Sequence, residues 1–259
     1  MRKSKVATKL RSGQFARMAS LGHVIPAFVK MAQQFGYDGI WLDLEHRAMS
    51  DREVQMLLAY AHAVDVDIMI RTPTLEKTRL YRYLEDGASG FMIPHCSTPE
   101  KAQMIVDSMK FPPVGDRGLD GAGFDVGFTF DDPETFVADA NKETFLVCQI
   151  ETPEAVENAE AIAAIDGVDL LFVGPADLSL RLEHSETGAT LDDAIETVRA
   201  AAAKHGKRWG ITAGTIEDLT HRRELGASMI PWGGDFGGIL AALRNSSGDL
   251  DQLDATGSK

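Results

Sequence analysis

The sequence predicts an α/β protein, a single-domain (β/α)8 TIM barrel, and three observations carry that expectation. Short apolar runs recur along the chain with helical periodicity between them, the pattern of parallel strands joined by crossover helices. Eight such runs fall within 259 residues, a usual size for one barrel. No Gly-x-Gly-x-x-Gly turn follows the first run, so an open dinucleotide-binding sheet is the poorer fit.

In chain order the strand candidates are "GQFARMAS", "YDGIWLDLEH", "VDIMIRTP", "SGFMIPHC", "TFLVCQIET", "VDLLFVGPAD", "RWGITAG" and "ASMIPWGG". Runs this short and this apolar imply burial on both faces of a parallel sheet. Helical spacing occupies Asp51–Ala63, Glu76–Asp86, Pro99–Met109, Pro153–Ala164 and Leu191–His205. Gly36, Gly87, Gly167, Gly206 and Gly226 stand where helices should stop, just ahead of the next strand. Two segments break the rhythm. Phe111–Phe130 is long and rich in Gly and Asp, and is expected to form a loop over an active site. The domain is expected to span residues 1–245, with the polar tail 246–259 frayed.

Charge narrows the partners. A formal net charge of -13, with no local block of Lys and Arg, argues against nucleic acid and against an anionic membrane surface. Cys96 and Cys148 lie far apart in sequence and neither has a neighbour at metal-ligand spacing, so no disulfide scaffold or Cys-based zinc site is expected. The basic start "MRKSKVATKLRSGQ" has no apolar core of a leader, and no apolar run reaches membrane-spanning length. A cytoplasmic protein is expected.

In a barrel, chemistry sits at the carboxyl ends of the strands. Reading only those positions gives Asp43, Glu45 and His46, then Arg71, His95, Gln149 with Glu151, and Asp177. Glu151 and Asp177 are hard oxygen ligands with no Cys or His at matching strand ends, which favours Mg²⁺, Mn²⁺ or Co²⁺ over zinc. Taken singly, each acid could equally cap the helix that follows it; on consecutive strands the pair points to a metal. His46 follows Asp43 by three residues, so a carboxylate could orient its ring for general-base work. A lone histidine is otherwise an ordinary satisfied core residue. Arg71 ends a buried strand with no acid beside it in sequence; it is either half of a structural ion pair or a cation aimed at an enolate or carboxylate oxygen. Spacing alone makes Glu85 a solvated helix residue and leaves His95 undecided.

These motifs, in this order, resemble those of the HpcH/HpaI aldolase/citrate lyase family, specifically its metal-dependent class II pyruvate aldolases. "GYDGIWLDLEH", "MIRTP", "FPPVGDRGLDG", "VCQIET", "GVDLLFVGPADLS" and "GASMIPWGGD" carry the resemblance over nearly the whole chain. It implies reversible aldol cleavage of a 4-hydroxy-2-oxo acid to pyruvate, or a related 2-oxo acid, and an aldehyde. By the same resemblance Glu151 and Asp177 hold the metal, His46 is the base acting through a water, and Asp43 positions it. Arg71 would stabilise the enolate, while Gln149, the Ala176 backbone and Asp177 would meet the oxo acid. Glu85 occupies the place of a family Asp that tunes the histidine, and is one methylene longer. Arg47 follows the histidine where many relatives carry a small residue, which bears on aldehyde preference, and Gly118–Gly127 departs from the common pattern. The family's barrels pair by exchanging the last helix and assemble into hexamers, so a homo-oligomer is expected. No organic cofactor is implied, and no strand-end lysine is present for an imine route. Two competing readings stay open: a lyase or synthase acting on CoA thioesters or citrate-like acids, and a catalytically silent oxo-acid binder.

Overall fold

The computed structural model describes residues 1–129, 132–186 and 188–257. The elements run α1 (Lys5–Arg11), β1 (Met18–Leu21), α2 (Pro26–Gln34), β2 (Gly39–Asp43), α3 (Asp51–Ala63), β3 (Asp67–Arg71), α4 (Lys77–Glu85), β4 (Gly90–Ile93) and α5 (Pro99–Met109). They continue as α6 (Pro133–Glu143), β5 (Phe145–Ile150), α7 (Pro153–Glu157), α8 (Ala159–Ala163), β6 (Leu170–Val173), α9 (Pro175–Glu183), α10 (Leu191–Lys204), β7 (Arg208–Ile211), α11 (Ile216–Glu224) and α12 (Asp235–Gly257). Among the described residues seven strands pair in parallel, in the order β1-β2-β3-β4-β5-β6-β7. The sheet is curled and TIM-barrel-like, with every strand's carboxyl end on one face.

Local chemistry sets these boundaries. Proline opens α2, α5, α6, α7 and α9, where its missing N–H costs nothing. Ser50 and Glu53 close a capping box on α3, and Thr98, Thr152, Thr190 and Thr215 cap later helices with their hydroxyls. The five helix-terminating glycines adopt positive φ, which stops each helix and turns the chain toward the next strand.

Strand alternation divides the core in two. Ile40, Leu42, Ile68, Ile70, Leu146, Cys148, Leu171 and Val173 join the apolar layer between sheet and helices. Their alternate neighbours Trp41, Met69, Val147, Leu170 and Phe172 fill the interior with Val6, Ala7 and Leu10 of α1. Helix α1 therefore plugs the amino-end face. Asp67, at the start of β3, fastens it by accepting hydrogen bonds from Ser4 Oγ (2.6 Å) and Val6 N (2.8 Å).

Three expectations change. The eighth run is not a strand among the described residues. Instead Met229 bridges Ala16 on one side and Gly210 on the other, and Gly234 bridges Ser20. Pro231 supplies no donor, and Gly233 sits at φ 87°, so a regular ladder is interrupted there. The described part of the polar tail, 246–257, is helical rather than frayed: α12 continues through Gly257 with no helix-breaking proline inside it. Finally, the 111–130 segment joins α5 to α6 and packs largely at the amino-end face; Phe130 lies outside the described residues. Phe111 packs on Phe136 and Ala140, and the loop's Phe124 N donates to Glu85 O (2.6 Å). Within one chain its described residues do not cover the carboxyl-end face.

Lys110 shows how that amino-end region is held. It is 2 % exposed, and its ammonium donates to Asn141 O (2.8 Å), Thr144 O (2.7 Å) and Thr144 Oγ1 (3.0 Å), capping the end of α6. Burial pushes the lysine down to about 8, against the pull of Asp169. Lys110→Met is expected to cost about 2–4 kcal/mol in urea unfolding at neutral pH, because it strands buried carbonyls. The unfolded chain keeps this proton to higher pH than the folded one. Lys110 therefore adds stability as pH rises above about 8, so the gap between wild type and variant should widen between neutral pH and about 9.5.

Candidate active site

The same alternation that builds the interior delivers the polar rim. Trp41 and Met69 point inward, so Asp43 and Arg71, two residues on, emerge on that side at the carboxyl end. Val147 leads to Gln149 and Glu151 in the same way.

Arg71 is the most constrained of these groups. Its Nε and one terminal nitrogen donate in a bidentate fork to Asp43 (3.0 and 2.8 Å), and its other terminal nitrogen pairs with Glu45 Oε2 (3.0 Å). The guanidinium lies 4.8 Å from the Trp41 ring centre. Burial works to raise the Asp43 carboxyl, but the bonds and charge of Arg71, with the N–H groups of His46 and Glu45, hold it below its ordinary value.

Glu151 is buried at 2 % exposure, and both of its oxygens are engaged. Oε1 accepts from His95 N (2.6 Å) and lies 3.2 Å from His95 Nδ1; Oε2 accepts from Gln149 Nε2 (2.5 Å). A side chain at Gly174 could not fit here, since its Cβ would stand 2.6 Å from Glu151 Oε2 and 3.0 Å from Gln149 Nε2. Burial raises the Glu151 carboxyl; contact with His95 opposes this, and the charges of Glu45 and Asp177 add to the rise. Gln149 Oε1 is buried without a partner.

Asp177 is not a cap. Gly174 holds the N-cap position of α9 with no side-chain bond, so Ala176 N–H sits in an uncapped first turn. Nor does Glu151 cap α7, a task taken by Thr152. Arg181 ties the two acids together: one nitrogen donates to Asp177 Oδ1 and to Glu151 O, each at 3.0 Å.

His46 stands at the rim with 59 % of its side chain exposed. Its ring does not meet Asp43, whose Oδ1 instead accepts from the backbone N–H of Glu45 (3.1 Å) and of His46 (3.3 Å). The carboxylate beside the ring is Glu45, 3.6 Å from Nε2. The sequence places Glu45 at the strand end without giving it a role; it follows Asp43 by two positions and so shares its side of the strand. It also lies 3.6 Å from His95 Nε2, which makes it the hub between Arg71, His46 and the His95–Glu151 pair. His95 adopts φ 50°, an uncommon backbone for a non-glycine residue that aims its N–H at Glu151. Glu85 is elsewhere. It ends α4 and touches Gly123 at the amino-end face, with burial and neighbouring acids raising its carboxyl against Arg117. One chain does not bring it to His46.

The arrangement sets carboxylates, which suit a hard cation, with an arginine and a histidine, which suit an anionic substrate. Comparison with known proteins agrees. The profile of the HpcH/HpaI aldolase/citrate lyase family matches residues 21–242. The 5-keto-4-deoxy-D-glucarate aldolase of Klebsiella pneumoniae is 35% identical over 213 residues, covering 81% of this chain and 82% of that protein. Its Escherichia coli (strain ATCC 8739) counterpart is 33% identical over 246 residues, covering 93% and 94%. The crystal structure of an HpcH/HpaI aldolase from Desulfitobacterium hafniense superposes with a TM-score of 0.86 at 30% identity, covering 94% of this chain and 95% of that one. Fold and relatives together define a carbon–carbon lyase. The chain belongs to the HpcH/HpaI aldolase/citrate lyase family.

Proposed function

We propose that the protein is a divalent-metal-dependent aldolase that reversibly cleaves a 4-hydroxy-2-oxo acid to pyruvate, or a related 2-oxo acid, and an aldehyde. The observation that carries this reading is Glu151 just past β5 with Asp177 in the first turn after β6, linked through His95 and Glu45 to Arg71 and His46. The donor set fits a hard cation: two carboxylates, one raised chiefly by its burial and further by its neighbours' charge, with Gly174 leaving space over Glu151. Among the described residues no group of three or more His, Cys, Asp or Glu converges in ligand geometry, so the remaining positions would fall to substrate and water. Glu151 and Asp177 would hold Mg²⁺, Mn²⁺ or Co²⁺, and the ion would act as a Lewis acid on the substrate.

The chain's own groups then divide the work. Arg71, fixed by Asp43, Glu45 and Trp41 before substrate arrives, presents its cation to the enolate oxygen at no reorganisation cost. His46 takes the 4-hydroxyl proton through a water, Glu45 beside the ring stabilises the imidazolium so formed, and the same proton returns to C3 of the enolate to give pyruvate. Gln149 and Ala176 N–H hold the oxo-acid end.

The bridges made by Met229 and Gly234 support a closed eight-stranded barrel whose last strand is irregular. Along α12, Phe236, Ile239, Leu240, Leu243, Leu250 and Leu253 are all exposed, and their spacing forms an apolar stripe that supports a homo-oligomer built on this helix. Cys96 and Cys148 are buried, unbridged and in mutual contact, which fits the reducing cytoplasm.

Coupling pyruvate release to a lactate dehydrogenase tests the activity directly. Cleavage of 4-hydroxy-2-oxo acids with equimolar aldehyde is expected when Mg²⁺, Mn²⁺ or Co²⁺ is supplied; no pyruvate from a panel of such acids would overturn the reading. Gly174→Ala should weaken Mn²⁺ binding at least tenfold by calorimetry, roughly the penalty of displacing a bound carboxylate. Unchanged affinity would show that Glu151 does not hold the ion.

A further inference from the structure

We infer that Arg181 makes the metal site selective for a small octahedral ion over Ca²⁺, by leaving Asp177 a single free oxygen. The inference rests on the metal-dependent reading above and adds which ion the site excludes. Glu151 Oε1 is enclosed by His95, whose N–H donates to it at 2.6 Å and whose Nδ1 lies 3.2 Å away. Oε2 accepts from Gln149 Nε2 (2.5 Å) and faces the space left open at Gly174. Asp177 Oδ1 accepts from Arg181 (3.0 Å), which leaves Oδ2 for a ligand. An ion chelated by both Asp177 oxygens would share Oδ1 with the guanidinium, setting two cations against one oxygen. One oxygen from each acid is therefore the favoured donor set. Mg²⁺ suits such a set, because it binds one or two carboxylates and keeps several waters, and Mn²⁺ shares its octahedral oxygen geometry. Ca²⁺ takes about six to eight oxygens and often draws two of them from one carboxylate.

Taken as a pair on α9 alone, Asp177 and Arg181 would be an ordinary surface contact. They stand four residues apart, with side chains 46 % and 38 % exposed, and such pairs add little stability. Two observations set this one apart. The nitrogen that meets Asp177 also donates to Glu151 O (3.0 Å), so the guanidinium clamps the first turn of α9 onto the end of β5, between the two acids. Arg181 is also what directs the Asp177 carboxylate. Gly174 holds the N-cap position of α9 without a side-chain bond, and among the described residues Arg181 is the ion-pair partner of Asp177. A guanidinium that grips one oxygen and a neighbouring backbone carbonyl together fixes which oxygen of Asp177 turns outward.

Calorimetric titration of the metal-free protein with Mn²⁺ and with Ca²⁺ tests this, in wild type, Arg181→Met, Arg181→Lys and Asp177→Asn. Wild type should bind Mn²⁺ more tightly than Ca²⁺. Arg181→Met should lower that preference by about tenfold or more, the usual scale for losing a group that orients a metal ligand. Both ions carry the same charge, so removing the guanidinium's repulsion acts on both affinities alike. Their ratio then reports on the number of oxygens offered. Arg181→Lys, which keeps a donor for Asp177, should show a preference between those of wild type and Arg181→Met. A preference unmoved in Arg181→Met, an Arg181→Met protein that binds neither ion, or a wild type that binds Ca²⁺ as tightly as Mn²⁺ overturns the inference. Asp177→Asn reports separately on the ligand assignment. It should weaken binding of both ions, and unchanged binding there overturns the metal-site reading itself.

Discussion

Glu151→Gln is expected to abolish measurable divalent-metal binding and to lower aldol cleavage by at least about a thousandfold, while leaving the metal-free protein as stable as wild type or more so. The combination is what separates a ligand from a structural acid. An amide of the same shape still accepts the His95 N–H, so packing and the φ 50° turn are preserved. The substitution removes a buried negative charge that sits against Glu45 and Asp177. Burial and those charges raise the folded carboxyl above its ordinary value, so the folded state holds this proton to higher pH than the unfolded chain does. The stability it contributes is present in acid and is lost as pH rises through the folded value. At neutral pH the variant should therefore melt at an equal temperature or up to about 4 °C higher, and the advantage should vanish in acid. A variant that loses stability at neutral pH would mark Glu151 as structural.

Arg71→Met is expected to fail in both respects. Asp43 and Glu45, with side chains 15 % and 17 % exposed, lose their shared cation at once. Partial exposure screens the loss, so a cost of about 2–4 kcal/mol is expected from urea unfolding, below the upper range for a fully buried pair. Cleavage should fall by a further factor of about 100–1000 under conditions where the variant is folded, the usual effect of removing one oxyanion donor. Arg71→Lys should recover stability more than rate, since an ammonium keeps the charge but cannot form the fork to Asp43. The acid limb gives a separate sign. Burial pushes the Asp43 carboxyl up, but Arg71 holds it below its ordinary value, so its stabilising contribution is full above about pH 4 and fades as pH falls through the folded value. The stability gap between wild type and Arg71→Met should accordingly narrow in acid.

Much of this architecture can be read from period and punctuation. The two-residue alternation that sends Ile40 and Leu42 toward the helices also sends Trp41 and Asp43 inward, and the helix-ending glycines mark where each strand begins. Asp43, Arg71, Gln149 and Glu151 were therefore visible as strand-end residues. Pairing was not visible. Whether Arg71 meets a carboxylate depends on which strands are neighbours, and its partner Asp43 is distant in sequence but matched to it in the β2–β3 register. Glu45 is legible as a strand-end residue too, but that the His46 ring meets Glu45 rather than Asp43 depends on the turn that Asp43 itself closes. In the tail, polarity alone does not decide between disorder and helix. Helix α12 needs only local hydrogen bonds, and its exposed leucines recur at helical spacing. Likeness to the family places Glu85 at the site, and length with Gly and Asp content places the 111–130 loop over it, whereas direction along the chain sends the end of α4 and the α5–α6 connection to the opposite face.

The central claim is that Glu151 and Asp177 place a divalent ion where a 2-oxo acid can lose a methyl proton. Proton NMR of pyruvate in D₂O with the wild-type protein tests it most directly, because the readout needs neither the natural aldehyde nor the full reaction. Exchange of the methyl protons is expected with Mg²⁺, Mn²⁺ or Co²⁺, stopping on chelation and falling to background in Glu151→Gln and His46→Ala. Exchange that persists after chelation, or that fails to appear with any of the three ions, would contradict the account.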